Sequence, residues 1–195
     1  GDLDPTQTWE ISVLATKQLA EKAALAKVEN FIYASSGSVY GLSEAQKVTE
    51  TEELVPISVY NKTKMCAERI LQSYDDKFNL VIIRPATVCG ISPRMRFDLT
   101  VNEFTRDLVC GKDLLVYDPD TWRPYCHVND FSRLIYKVMN SEKAKVGFEV
   151  YNAGGDHNNF TKTLSKKKHS SVASILKKSS RAPPIKAYPG QIQKK

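Results

Sequence analysis

The order of hydrophobic and polar residues along the chain predicts helices that alternate with strands. Apolar side chains recur at helical spacing over residues 9–27, and Thr8 in front of them can cap a helix. The apolar runs 30–35 and 79–84 predict buried strands. The polar stretch 41–56 predicts a surface loop after the first of these strands.

The second half of the sequence continues this alternation. A helix is predicted over residues 99–110, where Gly111 stops it, and another over residues 128–139. Strands are predicted over residues 114–117 and 148–151. Strands that alternate with helices in this way indicate an α/β fold with a parallel sheet.

Composition and cysteine usage fit an ordinary globular protein with one domain. The chain has 195 residues, of which 42% are hydrophobic and 26% are charged, and both values are typical of globular proteins. No apolar run approaches the roughly 20 residues that span a bilayer, and the polar first segment does not resemble a signal peptide. No two cysteines form a Cys-x-x-Cys pair, so we expect free thiols in a reducing cytosol and no metal site. The cysteines are Cys66, Cys89, Cys110 and Cys126.

Positive charge is concentrated at the end of the sequence. The net charge is +6, but residues 1–156 carry 18 basic and 22 acidic side chains, so this part is mildly acidic. No acidic residue follows Asp156, and the residues after 161 lack hydrophobic periodicity. We therefore expect a folded domain over residues 1–161 and a basic, low-complexity, disordered tail over residues 162–195. The tail has few aromatic residues among its cations, which disfavours a nucleic-acid-binding module.

Two stretches carry candidate chemistry. Residues 31–41, Phe-Ile-Tyr-Ala-Ser-Ser-Gly-Ser-Val-Tyr-Gly, predict a strand that runs into a turn of small residues. A helix that begins at Ser58 or Val59 places Tyr60 and Lys64 one turn apart on the same face. A free tyrosine has a pKa of about 10, and a nearby lysine cation favours its phenolate. Taken alone, a Tyr-x-x-x-Lys pair also fits a surface helix with a half-buried tyrosine.

Together these stretches resemble the extended short-chain dehydrogenase/reductases, the family of NAD-dependent sugar-nucleotide epimerases and dehydratases. The resemblance runs from about Trp9 to about Thr161. It implies a Rossmann-type parallel sheet flanked by helices, with NAD as the cofactor, or NADP as the alternative, and a nucleotide-diphosphate sugar as the substrate. It also implies a homodimer, because relatives often dimerise through a four-helix bundle that includes the helix of Tyr60.

The resemblance assigns catalytic roles to residues at the matching positions. Ser36, Tyr60 and Lys64 correspond to the catalytic residues of the family. Ser36 would hydrogen-bond the sugar oxygen from which Tyr60 takes a proton. Tyr60 and Lys64 would also bind the cofactor, and the backbone at Pro85 would lie along its nicotinamide.

Further positions match the substrate contacts of the family. Thr87 comes shortly after the second strand and would face the substrate. Arg123, in the run Arg-Pro-Tyr-Cys-His-Val, matches an arginine that binds the diphosphate, a task that suits the planar guanidinium. In the same run, His127 is expected to be structural. Arg94 and Arg96 are candidate phosphate contacts, and a solvated loop explains them equally well.

Departures from the family pattern narrow the expected reaction. Dehydratases of the family carry Asp and Glu where this chain has Gly37 and Ser38, which favours an epimerase or reductase over a 4,6-dehydratase. Ser12 stands where many relatives have an Asn that helps to hold the active site, and Ala15 replaces a Gly.

The Gly-rich turn of dinucleotide-binding folds has no counterpart in the sequence. That turn brings backbone N–H groups at a helix N-terminus to the pyrophosphate, and in this family it reads Gly-x-x-Gly-x-x-Gly. None of the nine glycines are so spaced. We therefore interpret the chain as the catalytic half of an NAD enzyme, incomplete on its N-terminal side. The alternative is a non-catalytic protein of the same fold that cannot hold NAD.

Overall fold

The computed structural model describes residues 3–43 and 47–163, so nearly all of the predicted tail lies outside the described residues. The helices are α1 (Pro5–Trp9), α2 (Ala15–Leu25), α3 (Val59–Gln72), α4 (Thr100–Val109), α5 (Val128–Met139) and α6 (Lys143–Val146). The strands are β1 (Asn30–Ala34), β2 (Asn79–Pro85), β3 (Thr87–Cys89), β4 (Trp122–His127), β5 (Glu149–Ala153) and β6 (Asn159–Thr161).

The strand β2 lies at the centre of a three-stranded sheet with the order β1-β2-β5. Both pairings are parallel, with Asn30 level with Asn79 on one side and Val81 level with Glu149 on the other. Every residue of β2 before Pro85 is buried, whereas β1 is only partly buried. The prediction of two buried strands therefore holds fully for β2 and only in part for β1.

Helices cover both faces of this sheet. Leu80 and Ile82 pack with buried residues of α2 and α3 in one apolar cluster. Val81 and Ile83 pack with Val138 of α5 in a second cluster. Successive strand residues point to opposite faces, so the two clusters lie on opposite sides of β2. Burial on both faces explains the unbroken apolar run of this strand. The predicted Rossmann-type fold, a parallel sheet flanked by helices, is confirmed.

The strands β3, β4 and β6 form a second group, in which β4 pairs with β3 in parallel and with β6 in antiparallel orientation. The predicted strand over residues 114–117 is wrong. Within the part of the chain that the structure describes, this stretch belongs to no strand, and Leu115 and Tyr117 are both 70% exposed. The strand of this region is β4, which contains Pro124. Because proline cannot donate a ladder hydrogen bond, the sequence pattern gave no sign of a strand there.

The first helix begins earlier than predicted and contains one π-helical segment. Its N-cap is Asp4, whose Oδ1 accepts a hydrogen bond from the Gln7 N–H at 2.9 Å, and the predicted cap Thr8 lies inside α1. Pro5 occupies the first helical position, where its missing N–H costs nothing. Glu10–Leu14 is π-helical and joins α1 to α2. A π segment inside an α-helix is uncommon and often marks a functional site.

The ends of α3 and α5 agree with the sequence pattern. Ser58 caps α3, and its side chain accepts a hydrogen bond from the Asn61 N–H. The helix α5 has the predicted bounds. Its N-cap is His127, whose Nδ1 accepts a hydrogen bond from the Asn129 N–H at 3.2 Å. This capping contact fits the expectation that His127 is structural.

Candidate active site

The candidate site forms where the carboxyl ends of β1 and β2 meet, the usual position of ligand sites in parallel α/β sheets. After β1 the chain passes through Ser36 into the 3₁₀ turn Gly37–Tyr40. A Cβ atom added to Gly37 would lie 3.2 Å from the carbonyl oxygen of Pro85. This close approach of the two strand ends explains why a residue without a side chain stands there.

Hydrogen bonds fix the side chain of Ser36. Its Oγ accepts a hydrogen bond from the Ser38 N–H at 3.2 Å and lies 2.7 Å from the Ser38 Oγ. Ser38 donates its own hydroxyl proton to the Asn61 Oδ1 at 2.7 Å. The proton between the two serines therefore belongs to Ser36. The chain of bonds ties the turn after β1 to the first turn of α3.

Tyr60 and Lys64 lie on one face of α3, as their spacing predicts. Tyr60 is 40% exposed. The Lys64 Nζ is half-buried and donates a hydrogen bond to the Ala34 carbonyl oxygen at 2.9 Å. It lies 5.9 Å from the centroid of the Tyr60 ring. Burial lowers the pKa of the Lys64 ammonium, and the Glu68 carboxylate acts in the opposite direction.

A second tyrosine lies next to the same ammonium. The Tyr33 hydroxyl is 3.4 Å from the Lys64 Nζ, and the centroid of the Tyr33 ring is 4.8 Å from it. Burial raises the pKa of Tyr33 to about 12, and the nearby Tyr60 and Glu68 add to this rise. A contact with the Thr16 side chain acts in the opposite direction. Tyr33 is therefore a neutral phenol at neutral pH.

A buried ion pair lies directly beneath the site. Two nitrogens of Arg84 bind the two carboxylate oxygens of Glu68, Nε at 3.0 Å and Nη2 at 2.6 Å. The side chains of Glu68 and Arg84 are 2% and 5% exposed. The Ser35 hydroxyl donates a hydrogen bond to the same carboxylate. The sequence predicted only a turn of small residues here and did not show that the Ser35 hydroxyl is one partner of a buried charge.

The network continues from Arg84 to β5. The Arg84 Nη1 donates to the Tyr40 hydroxyl at 2.8 Å, and Tyr40 donates to the Asn152 Oδ1 at 2.8 Å. The loop before α3 joins here as well, because the Asn152 N–H donates to the Glu50 Oε1 at 2.7 Å. The network therefore connects α3, β2, β5, the 3₁₀ turn and this loop.

Sequence reasoning missed this network, although two signals were present. Glu68 is an acidic residue on the buried face of α3, four residues after Lys64. Arg84 is a basic residue within a fully buried strand. Charged residues are almost never fully buried without a partner of opposite charge, so the two positions could have been matched.

The predicted substrate contacts lie on the second group of strands. Thr87 in β3 is level with Tyr125 in β4, and Arg123 stands two residues before Tyr125 on the same strand. Arg123 is exposed. Arg96 is held by a bidentate pair with Asp98, at 2.8 Å and 2.6 Å. This pair raises the pKa of Arg96, and the Tyr60 phenol contributes to the rise. The roles of Thr87 and Arg123 remain predictions.

The described residues contain neither a cluster of metal ligands nor a membrane-spanning helix. No group of three or more His, Cys, Asp or Glu side chains within residues 3–43 and 47–163 is placed to hold a metal ion. Over the same residues, no helix combines the length and the apolar character that crossing a bilayer requires.

The family of the chain follows from its similarity to known protein families. The sequence model of the NAD dependent epimerase/dehydratase family matches residues 2–154. The chain belongs to this family. The epimerase/dehydratase family contains enzymes that act on nucleotide sugars with NAD, in agreement with the resemblance seen in the serine turn and the Tyr-x-x-x-Lys helix.

Epimerases are found among its relatives. An uncharacterised UDP-glucose epimerase, YtcB of Bacillus subtilis, is 30% identical over 147 residues, which are 74% of this chain and 45% of the relative. The structure of a Bacillus cereus UDP-glucuronic acid 4-epimerase, in complex with UDP-glucuronic acid and NAD, is 27% identical with a TM-score of 0.72. The similar regions are 88% of this chain and 52% of that enzyme.

A dehydratase structure shares the fold. The dTDP-glucose 4,6-dehydratase of Bacillus anthracis, in complex with NAD, has a TM-score of 0.76 at 24% identity, over 85% of this chain and 53% of that enzyme. At this identity the similarity concerns the fold alone. The chain spans about half the length of the epimerase/dehydratase family members it matches.

Proposed function

We propose that the site catalyses NAD-dependent epimerisation, or closely related redox chemistry, at a sugar carbon of a nucleotide-diphosphate sugar. The observation that carries this proposal is the arrangement of three side chains. Tyr60 and Lys64 share a face of α3, and the bond from Ser38 to Asn61 ties the turn that holds Ser36 to the same helix.

Tyr60 takes the proton of a sugar hydroxyl in this proposal. Its 40% exposure leaves the phenol open to a substrate. The Lys64 ammonium lies 5.9 Å from the centroid of this ring, where its positive charge would stabilise the negative charge that develops in the proton transfer. Ser36 would turn its hydroxyl proton from Ser38 to the same sugar oxygen when the substrate binds, and the Ser38 N–H holds its Oγ in place.

The groups around Lys64 fit the nicotinamide end of NAD. Lys64 is a half-buried cation whose hydrogen bonds within the described residues go to Ala34 and Tyr33 and not to a carboxylate. Such an ammonium suits ribose hydroxyls. Because Gly37 has no side chain, the turn after β1 can approach the Pro85 carbonyl closely. Bound NAD supplies the hydride acceptor, and Tyr60, Lys64 and Pro85 would hold its nicotinamide riboside.

Thr87 and Arg123 complete the proposed substrate site. Thr87 would contact the sugar, and the exposed guanidinium of Arg123 would bind the diphosphate. A planar fork with several N–H donors matches the oxygens of a phosphate group better than a point charge does.

An epimerase or reductase fits the turn after β1 better than a 4,6-dehydratase does. Loss of water needs an acid and a base beside the sugar, and the two positions concerned hold Gly37 and Ser38. Gly37 has no side chain, and the Ser38 hydroxyl already donates to Asn61. Glu68 is engaged by Arg84 and Ser35 beneath the site. These contacts favour proton and hydride transfer without dehydration.

Replacement of Tyr60 tests the proposal. In the full-length protein, Tyr60→Phe removes the phenol that moves the proton, so turnover of a UDP-sugar should fall by about 100-fold or more. Epimerisation is followed by NMR of the product sugar in the presence of NAD. Tyr74→Phe is the matched control, because Tyr74 stacks on Phe78 at the far end of α3. An unchanged rate in Tyr60→Phe would refute the assignment.

A non-catalytic protein of the same fold is the second candidate. One feature favours it: Ser12 stands where many family members have an Asn that helps to hold the active site. An NAD-binding measurement separates the two candidates, since the second predicts no binding even by the full-length protein.

We also propose that the protein forms a homodimer through the helices around Tyr60. Three apolar side chains of the first helical region are each more than half exposed to solvent: Ile11, Leu14 and Leu19. Their exposure supports a helix bundle between two subunits. Sedimentation velocity over a range of concentrations tests this, and a monomer at every concentration would contradict it.

The cytosol is the proposed compartment. All four cysteines are free, and Cys126 is buried, which suits a reducing environment. Microscopy of the tagged full-length protein tests this placement, and a signal confined to an oxidising compartment would contradict it.

A further inference from the structure

The ammonium of Lys64 is seated on β1 and not on its helical neighbour Tyr60. Its hydrogen bonds go to the Ala34 carbonyl at 2.9 Å and to the Tyr33 hydroxyl at 3.4 Å. The Tyr33 ring centroid, at 4.8 Å, is closer to the ammonium than the Tyr60 centroid at 5.9 Å. A cation within about 6 Å of an aromatic ring is attracted by it, and the attraction is stronger where water is excluded.

The Tyr33 hydroxyl has polar contacts with both Lys64 and Thr16. Thr16 donates its hydroxyl proton to the Ser12 carbonyl at 2.9 Å, inside the π-helical segment. The Thr16 side chain also contacts the Tyr33 hydroxyl and acts to lower the pKa of Tyr33. The Tyr33 oxygen accepts a hydrogen bond from Lys64. A path of polar contacts therefore runs from the π-helical segment to the lysine.

We propose that Tyr33 is a positioning residue for Lys64: its ring and hydroxyl, together with the Ala34 carbonyl, hold the ammonium at the end of β1 and at a fixed distance from Tyr60. We call this arrangement of Tyr33 and the Ala34 carbonyl around the ammonium the seat of Lys64. The effect of the seat on catalysis rests on the proposed function, whereas the seat itself can be tested without measuring turnover.

The groups that face the ammonium come from the elements packed around it. The strand β1 contributes Tyr33 and the Ala34 carbonyl, and the neutral Thr16 of α2 contacts Tyr33. The helix α3 contributes Tyr60 and Glu68, and the carboxylate of Glu68 is already bonded to an arginine of β2. The loss of the Tyr33 hydroxyl therefore removes a neutral acceptor from a charged group, and no other change of charge accompanies it.

The test is an NMR titration of Lys64 in the chain itself, with paired Tyr→Phe variants. Lysine labelled with ¹³C at Cε reports the pKa, and Lys64→Arg assigns the signal. Tyr33→Phe keeps the ring and removes the acceptor, so the pKa of Lys64 should fall by about half a unit or more. Tyr60→Phe should change it by less than half as much. An equal or larger effect of Tyr60→Phe would overturn the proposal.

A second variant covers the case in which Tyr33→Phe does not fold, as judged by its melting curve. Thr16→Val removes the partner of the Tyr33 hydroxyl, leaves both tyrosines in place, and should also shift the Lys64 titration. If the pKa of Lys64 is unchanged in both folded variants, the proposed role of Tyr33 is wrong.

The catalytic arm uses the full-length protein. Tyr33→Phe should lower kcat more than it changes KM and should move the acidic limb of the kcat/KM pH profile to higher pH, because a loosely held ammonium stabilises the Tyr60 phenolate less. An unmoved pH profile would overturn the catalytic part of the proposal. Failure of the proposed function is seen separately, as an inactive wild-type protein whose Lys64 titration still responds to Tyr33→Phe.

Discussion

At the scale of single residues, the buried pair of Glu68 and Arg84 has the largest expected effect on stability. Both side chains are almost fully buried, and each has additional partners that satisfy its remaining hydrogen-bonding atoms. The bidentate geometry is the strongest arrangement for an arginine and a carboxylate. Removal of one partner leaves a buried charge without compensation, which costs far more than the pair contributes.

We therefore predict that Glu68→Ala lowers the free energy of unfolding by about 3–5 kcal/mol. The control is Glu21→Ala, which breaks an exposed pair with Lys17 at 3.6 Å and should cost less than about 1 kcal/mol. Urea denaturation followed by circular dichroism measures both. Similar losses in the two variants would show that the buried pair has no special role.

The sequence predicted the candidate catalytic residues but not the side chains that support them. Ser36, Tyr60 and Lys64 could be proposed because their spacing within a turn and a helix is local. The partners of Glu68 were not found, since its pairing with Arg84 depends on how α3 packs against β2. The contact of Tyr33 with Lys64 was missed for the same reason.

At the scale of elements, the N-terminus of α3 links helix capping to the site. Ser58 accepts a hydrogen bond from the Asn61 N–H at 3.2 Å, and the Asn61 side chain accepts one from Ser38. Ser58→Ala should cost about 1 kcal/mol of stability, the usual effect of a lost N-cap. Ser58→Asp should restore most of it, since aspartate caps equally well. Thermal melts of the three proteins give the comparison, and an unaffected Ser58→Ala would argue against the cap.

Helices and strands could be predicted where a regular hydrophobic pattern marks the face that packs on the core. The helix α5 was predicted with its observed bounds because one amphipathic face packs on the sheet. The π-helical segment Glu10–Leu14 was not predicted, since a π turn shifts the phase of the hydrophobic pattern without interrupting that pattern. The strand β4 was missed because it contains Pro124, which is not expected within a strand that pairs on both sides.

At the scale of the whole molecule, the cofactor provides the decisive measurement. We predict that this chain alone binds NAD weakly or not at all, because Tyr60, Lys64 and Pro85 reach only the nicotinamide end. The pyrophosphate of NAD would need the backbone N–H groups of a Gly-rich turn, for which the sequence has no counterpart. Each such charge-assisted hydrogen bond is worth roughly 1.5–3 kcal/mol, so a site that lacks two of them binds NAD more weakly by about two to four orders of magnitude. Calorimetric titration with NAD tests this, with Lys64→Ala as the control for binding at the proposed site. A micromolar dissociation constant for the wild-type chain would contradict the prediction.

The partly buried strand β1 has a thermodynamic consequence. Within the described residues, β1 pairs with β2 on one side and with no strand on the other. A segment that pairs with this open edge binds the native state and not the unfolded chain, so its binding free energy adds to the stability of the fold. At a hundred times its dissociation constant, such a segment would add about 2.7 kcal/mol. The melting temperature of this polypeptide is then a function of the concentration of whatever occupies the edge of β1, as well as of its own sequence.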